Sequence, residues 1–237
     1  SIHKAVESNV LEKVSRQRLN QELKYIYKEP APLKILKRFD QLGLISFLYP
    51  RANPDENTWS LLSEIEEILN WAGQRNWEQK PDMELTYLSG FLYGLESTDQ
   101  SAIIRKLYLS RERASIVRAA CQGISTVLNK LNQSELNPSM VVNFLDPFPV
   151  EAILFAHALT EKKIIRDHLK LYMDRLRFIQ PGIKGNDLIK IGLEPGPHYR
   201  KIIERLKQAV LDREVRTPQE ELDYVINYLE AEKRKEN

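Results

Sequence analysis

Lys184, Lys190, Arg200, Lys201, Arg205 and Lys207 stand on either side of the segment Pro195-Gly196-Pro197. Cationic side chains around a hinge of this kind suit the holding of phosphate. The stretch KGNDLIKIGLEPGPHY, residues 184–199, reads as a short helix bracketed by Gly185 and Gly192, then a hinge at Gly196, then a longer helix running to Glu214. Pro197 falls where that second helix begins, a position that needs no backbone N–H. Its first turn therefore offers amide donors and a partial positive charge to an anion. Between residues 184 and 216 eight Lys/Arg meet five Asp/Glu. The same pattern also describes an ordinary turn beside a solvated helix face, so spacing alone leaves both readings open.

A second basic group, Arg105, Lys106, Arg111, Arg113 and Arg118, is opposed only by Glu112. The chain as a whole carries a formal charge of only +2, but the charge is unevenly spread. Residues 1–40 hold nine basic and five acidic side chains, whereas residues 51–100 hold three basic and ten acidic. Such a map suits a polyanion on one side and excludes it from another.

The elements that must position these groups all read as helices. Helical spacing is expected over Ile2–Leu11 and over Val14–Tyr27, the latter with Ser15 as N-cap. A further helix carries Leu33, Ile35, Leu36, Phe39 and Leu42 and is ended by Gly43. Residues 53–57 read as a loop. Thr58–Trp71 follows, with Trp59, Leu62, Ile65, Ile68 and Leu69 on one face. Met83–Gly94, Ser101–Leu109 and Arg111–Leu131 continue the pattern, and Asn137-Pro138 marks a strong helix start. Glu161–Phe178 is expected as one long helix with Ile164, Ile165, Leu169, Tyr172, Met173 and Leu176 inward. Thr217-Pro218-Gln219-Glu220 reads as a capping box opening a last helix to about Leu229, after which AEKRKEN is expected to fray. Alternating strand patterns with hairpin signals are lacking, so the expectation is an all-α chain.

With 237 residues, 42% hydrophobic and 29% charged, the chain has the composition of a folded protein. No apolar run approaches the roughly 18 residues of a membrane span, and the first residues lack a signal-peptide core. The reading therefore places the protein in the cytoplasm with no membrane partner. Ser1 stands where an initiating methionine would, which suggests a piece of something longer. Cys121, the one cysteine, sits in RAACQGI as a buried structural thiol would.

Other chemistry lacks its residues. Nucleotidyl transfer needs a strand-borne pair of carboxylates to hold two metal ions after a glycine-rich turn for the triphosphate, and Asp212-Arg213-Glu214, at the end of a helix, has no such turn before it. His3, His157, His168 and His198 show no metal-ligand spacing with one another or with Cys121. His157, in ILFAHAL, reads as a core histidine. Neither a G-x-S-x-G motif nor a P-loop occurs.

The pattern I-K-G-N-D-L-I-K-x-G-L-E-P-G-P from Ile183, followed by A-V-L-D-x-E-V-x-T-P-Q-E-E-L from Ala209, resembles the C-terminal end of the bacterial class II tRNA nucleotidyltransferases. These are the CCA-adding, A-adding and poly(A) polymerase family. S-x-x-R-L-x-x-E-L from Ser15 and F-D-Q-L-G-L-I-S-F-L-Y-P from Phe39 resemble that family's neck and the segment after its catalytic head, with Arg18 and Glu22 on the neck's Arg and Glu. NPSMVVNFLDPFPVEAILFAHAL from Asn137 resembles its body. Arg213 stands where members commonly carry glycine.

The resemblance implies an elongated all-α array of the family's body and tail: a neck remnant and RNA-binding segment over 1–50, a helical body over 51–180 and a hinged tail over 181–237. It implies tRNA as partner, held at the acceptor stem and T-arm by Lys184, Lys190, Arg200, Lys201 and Arg205, with Arg111 and Arg113 as further candidates. Asp187 is expected to brace the hinge. Catalysis, with magnesium, ATP and CTP, belongs in the family to a head that this stretch does not match, so the stretch alone is expected to be inactive and without a cofactor. Whether the parent adds CCA, A or a poly(A) tail stays open, as does oligomeric state. The rival reading is a helical scaffold that binds protein through the acidic 51–100 face, for which exposed Trp71 and Trp77 would speak. A complete small enzyme with an unrecognised site is the third reading.

Overall fold

The computed structural model describes residues 23–49 and 51–236. The helices expected over Ile2–Leu11 and Val14–Tyr27, the Ser15 cap and the Arg18–Glu22 pair lie outside the described residues, apart from a helical turn at 23–26. Among the described residues there are thirteen α-helices and no strand. They are α1 Pro32–Gln41, α2 Leu44–Leu48, α3 Glu56–Gly73, α4 Met83–Leu92, α5 Ser97–Lys106, α6 Arg111–Arg118, α7 Ile124–Leu131, α8 Pro138–Leu145, α9 Val150–Leu159, α10 Lys163–Asp174, α11 Gly185–Lys190, α12 His198–Leu211 and α13 Pro218–Glu236.

The boundaries depart from expectation where interactions beyond hydrophobic spacing decide them. α3 starts at Glu56 because Asp55 Oδ1 accepts the Thr58 N–H at 2.8 Å and the Thr58 hydroxyl at 2.7 Å. The single helix expected over 111–131 is interrupted by a π-turn, Ala119–Gly123. There the Cys121 thiol donates to the Ser89 carbonyl at 3.6 Å, and a Cβ on Gly123 would stand 3.0 Å from the Phe148 ring. α10 stops at Asp174 and is followed by the 3-10 turn Leu176–Phe178. The last helix extends beyond Leu229, to Glu236, through a run of strong helix formers with an Arg234–Glu230 pair at 3.9 Å.

The described residues fall into two compact units, those up to 132 with 148–166, and 133–147 with those from 167 onward. In the first, α4 and α9 are buried almost all round, from Leu85 to Leu92 and from Ala152 to Ala158, as helices without a polar face must be. They pack with α3, where Gly90 permits the approach: a Cβ there would lie 2.8 Å from Ile65 Cδ1 and Leu62 Cδ2. Tyr27 stacks on Tyr87 with centroids 5.3 Å apart, and its hydroxyl shares a 2.8 Å hydrogen bond with that of Tyr49. In the second unit, Ile183, Leu188, Ile202, Leu206, Ala209, Val215 and Val225 form the core that holds α11, α12 and α13 together.

Three helices end in the same way. α11 closes with Gly192 N–H to Ile189 O at 2.9 Å and Leu193 N–H to Leu188 O at 3.1 Å, with Gly192 at φ 88°. α12 closes with Arg213 N–H to Val210 O and Glu214 N–H to Ala209 O, and α5 with Tyr108 N–H to Arg105 O and Leu109 N–H to Ile104 O. Arg213 and Tyr108 sit at φ 61° and 52°, in the left-handed region that this motif demands and that glycine occupies without strain. Glycine at the Arg213 position would meet this geometry without strain. Arg213→Gly is expected to stabilise the fold by about 1 kcal/mol, as the left-handed strain is relieved, which urea denaturation would register as a higher midpoint.

Burial pushes the Cys121 thiol up to about 12 despite its bond to Ser89. Because the folded value lies above the unfolded one, the stabilisation is complete below the ordinary thiol range and declines as pH rises toward 12. Ellman's reagent at pH 8 is expected to leave Cys121 unlabelled in the folded chain and to label it fully in denaturant.

Candidate nucleic-acid interface

The hinge is built from short-range contacts around one tyrosine. Tyr199, in the first turn of α12, donates its hydroxyl to the Leu193 carbonyl at 2.7 Å and packs edge-on to His198 with centroids 5.1 Å apart. Pro197 precedes α12 at φ −58° and ψ −24°, with His198 as the first helical residue. A Cβ on Gly196 would stand 2.8 Å from the His198 ring. The hinge therefore needs a glycine there or a displaced imidazole.

Asp187 braces α11 as expected. Its Oδ2 accepts the Lys184 N–H at 3.0 Å while its own N–H donates to the Lys184 carbonyl at 2.9 Å. The Lys190 ammonium, 2.8 Å from Oδ1, and then the Lys184 N–H hold the Asp187 carboxyl below its ordinary range. Lys184 and Lys190 thus flank one carboxylate, and both are exposed.

The α12 candidates face partners too. Arg200 Nε lies 2.8 Å from Glu204 Oε1, and Lys201 Nζ lies 3.2 Å from Glu232 Oε2 on α13. The hydrogen bond to Glu204 raises the Arg200 guanidinium, and that to Glu232, ahead of Tyr228, raises the Lys201 ammonium. Arg205 places its guanidinium 5.4 Å from the Tyr228 ring centroid. Lys207 is tied to Asp146 at 3.0 Å, which leaves it less available than its neighbours. Lys201 and Arg205, one turn apart, are brought together along α13.

Arg111 and Arg113 belong to the other unit and differ from each other. Arg111 is exposed at the start of α6. Arg113 turns inward, with Nη2 2.7 Å from Glu84 and 3.0 Å from Asp82. Burial lowers its pKa, and the bonds to Glu84 and Asp82 outweigh that and raise it. It lines a cavity of about 610 Å³ with Lys24, Lys28 and Lys80 at its sides and Tyr27 in its wall. Spacing could not single out these three lysines as a group, because Lys24 and Lys28 lie far along the chain from Lys80. Trp77 is buried, Trp71 packs on it edge-on at 5.8 Å, and the Arg75 guanidinium covers Trp71 at 3.7 Å. The exposed tryptophan pair that would favour the protein scaffold is not formed.

Two structural carboxylates escape a reading by spacing. Asp212 caps α8 from a distance: Ser139 donates its N–H to Oδ1 at 2.8 Å and its hydroxyl to Oδ2 at 2.6 Å, while Asn137 makes no side-chain cap. Glu221, 8% exposed, accepts the Ile183 N–H at 3.0 Å just before α11. Among the described residues no three His, Cys, Asp or Glu side chains converge on a metal position. No single helix among them is long and apolar enough to cross a membrane.

This all-α arrangement matches part of the fold of solved CCA-adding enzymes. The Thermotoga maritima CCA-adding enzyme complexed with tRNA matches 96% of the chain at a TM-score of 0.74 and 22% identity, over 55% of its own length. No protein-family model matches the chain. Its homologues are A-adding and CCA-adding tRNA nucleotidyltransferases. The A-adding tRNA nucleotidyltransferase of Geobacter sulfurreducens is 26% identical over 97% of the chain, and the CCA-adding enzyme of Limosilactobacillus reuteri is 24% identical over 87%. The chain spans about a quarter of the first relative's length and about half of the second's.

Glu221→Ala is expected to destabilise the chain by about 1–3 kcal/mol by leaving the buried Ile183 N–H without an acceptor. Thermal unfolding with near-UV circular dichroism would measure the loss.

Proposed function

We propose that this chain is the tRNA-holding portion of a tRNA nucleotidyltransferase that adds CCA or A at tRNA 3′ ends. In this reading it grips the acceptor stem and T-arm through their backbones, and a catalytic head of the same parent, with magnesium and ATP or CTP, performs the transfer. The observation that carries the reading is the match of almost the whole chain to A-adding and CCA-adding enzymes, with a fold neighbour in complex with tRNA.

The local chemistry supports it. A-form RNA hides its major-groove base edges in a deep, narrow groove, so a holder works largely on phosphates, 2′-hydroxyls and shape. Lys184, Lys190, Arg200 and Lys201 are exposed, and the pairs that Lys190, Arg200 and Lys201 form involve solvent-accessible carboxylates. Such pairs are weak. A phosphate therefore replaces Asp187, Glu204 or Glu232 as partner at little cost, and the pairs keep the cations oriented until RNA arrives.

Filter binding of the chain to a tRNA transcript, against an unstructured strand of equal length across a salt series, tests this directly. Preference for tRNA and a steep loss of affinity with salt are expected. Reversal of Lys201 and Arg205 to Glu is expected to weaken tRNA binding by about tenfold or more and to flatten the salt slope by about two, one for each phosphate no longer neutralised. Equal binding of both RNAs, or an unchanged slope in the double variant, would contradict the proposal.

A further inference from the structure

Tyr108 is the largest side chain held in the left-handed region among the described residues. The others with positive φ are Arg51, Arg213 and two glycines. It occupies the glycine position of the motif that ends α5, where a bulky aromatic residue is strained. Its ring contributes nothing to the core in return, since Tyr108 is 69% exposed, more than any other large hydrophobic residue described. The closure of α11 has glycine at the same position. A strained residue with an unburied side chain points to selection for what that side chain does in solvent.

Its surroundings are cationic. Arg105, three residues before, and Arg111, three residues after, are both exposed, and neither is in an ion pair among the described residues. Lys106, by contrast, donates to the Phe47 carbonyl at 2.8 Å. Buried Leu107 and half-buried Leu109 anchor the loop on either side of the tyrosine, so the ring stands on a fixed support. An exposed aromatic ring with an unengaged exposed arginine three residues to either side in the chain has the composition of a base-stacking platform. The ring takes the face of a base while the cations take the adjoining phosphates.

We propose that Tyr108, with Arg105 and Arg111, is a contact for an unpaired RNA nucleotide, its ring stacking on the base. The proposal rests on the tRNA-holding reading and adds to it a site that duplex shape recognition does not require. The charge fits this occupant, because two free guanidinium groups repel a cationic partner and Glu112 is the only carboxylate in residues 105–118.

The test uses the full chain with two probes, a tRNA transcript and a blunt RNA duplex, and follows both binding and urea denaturation. Tyr108→Gly is expected to raise the denaturation midpoint, because the strain is removed, and to weaken tRNA binding about tenfold, while duplex binding stays within about twofold. Tyr108→Phe is expected to bind tRNA as the parent does. Tyr108→Asn, which tolerates the left-handed backbone, is expected to lose tRNA affinity as the glycine variant does. Undiminished tRNA binding by the glycine and asparagine variants would overturn this inference alone, as would an equal loss on the duplex or a lowered midpoint in Tyr108→Gly. Failure of the parent chain to bind tRNA would overturn the tRNA-holding reading together with it.

Discussion

Carboxylates that arrive from far along the chain close the starts of helices and turns here. Glu66 accepts the Leu33 N–H in the first turn of α1, Glu151 accepts the Asp82 N–H ahead of α4, Asp212 caps α8 and Glu221 takes the Ile183 N–H. A chain made only of helices has an orphan set of donors at every helix start, and leaving one buried and unpaired costs about as much as a core methylene or two. By meeting those donors from distant helices, the four carboxylates fix which helix end lies beside which element. Each acts within one compact unit, and one of them, Glu221, fixes the residue that leads into α11.

The tail hinge follows from that constraint. Ile183 is held by Glu221, Lys184 is held by Asp187, Gly192 turns the chain, and the Tyr199 hydroxyl returns to the Leu193 carbonyl. Each contact is short-range or buried, so the cations of α11 and α12 stand on a rigid support although their own side chains remain in solvent. That division suits recognition of a backbone. A phosphate contact gains from a fixed position and needs a charge free to exchange partners.

Much of the architecture was legible because helix periodicity and local caps are local signals. Leu62, Ile65, Ile68 and Leu69 marked the inner face of α3, Gly43 ended α1, and Thr217 accepts the Glu220 N–H at 3.2 Å as its motif predicts. What stayed hidden depends on residues meeting across the fold. The π-turn at Ala119–Gly123 answers to Ser89 and Phe148, and the caps by Asp212 and Glu221 span 73 and 38 residues. For the candidate site, sequence identified the cations but not their partners. Arg113 faces Asp82 and Glu84, and Lys207 faces Asp146, pairings that no spacing rule contains.

Gly192, Arg213 and Tyr108 stand at the same position of one helix-ending motif. The three share one backbone geometry, and only the first uses the residue that the geometry prefers. The most direct measurement of the central claim is hydroxyl-radical footprinting of a tRNA transcript bound to this chain, which reads protection of each sugar along the backbone. Protection of the acceptor stem and T-arm with an unprotected anticodon arm is predicted. Protection spread evenly over the molecule, or centred on the anticodon arm, would contradict the account.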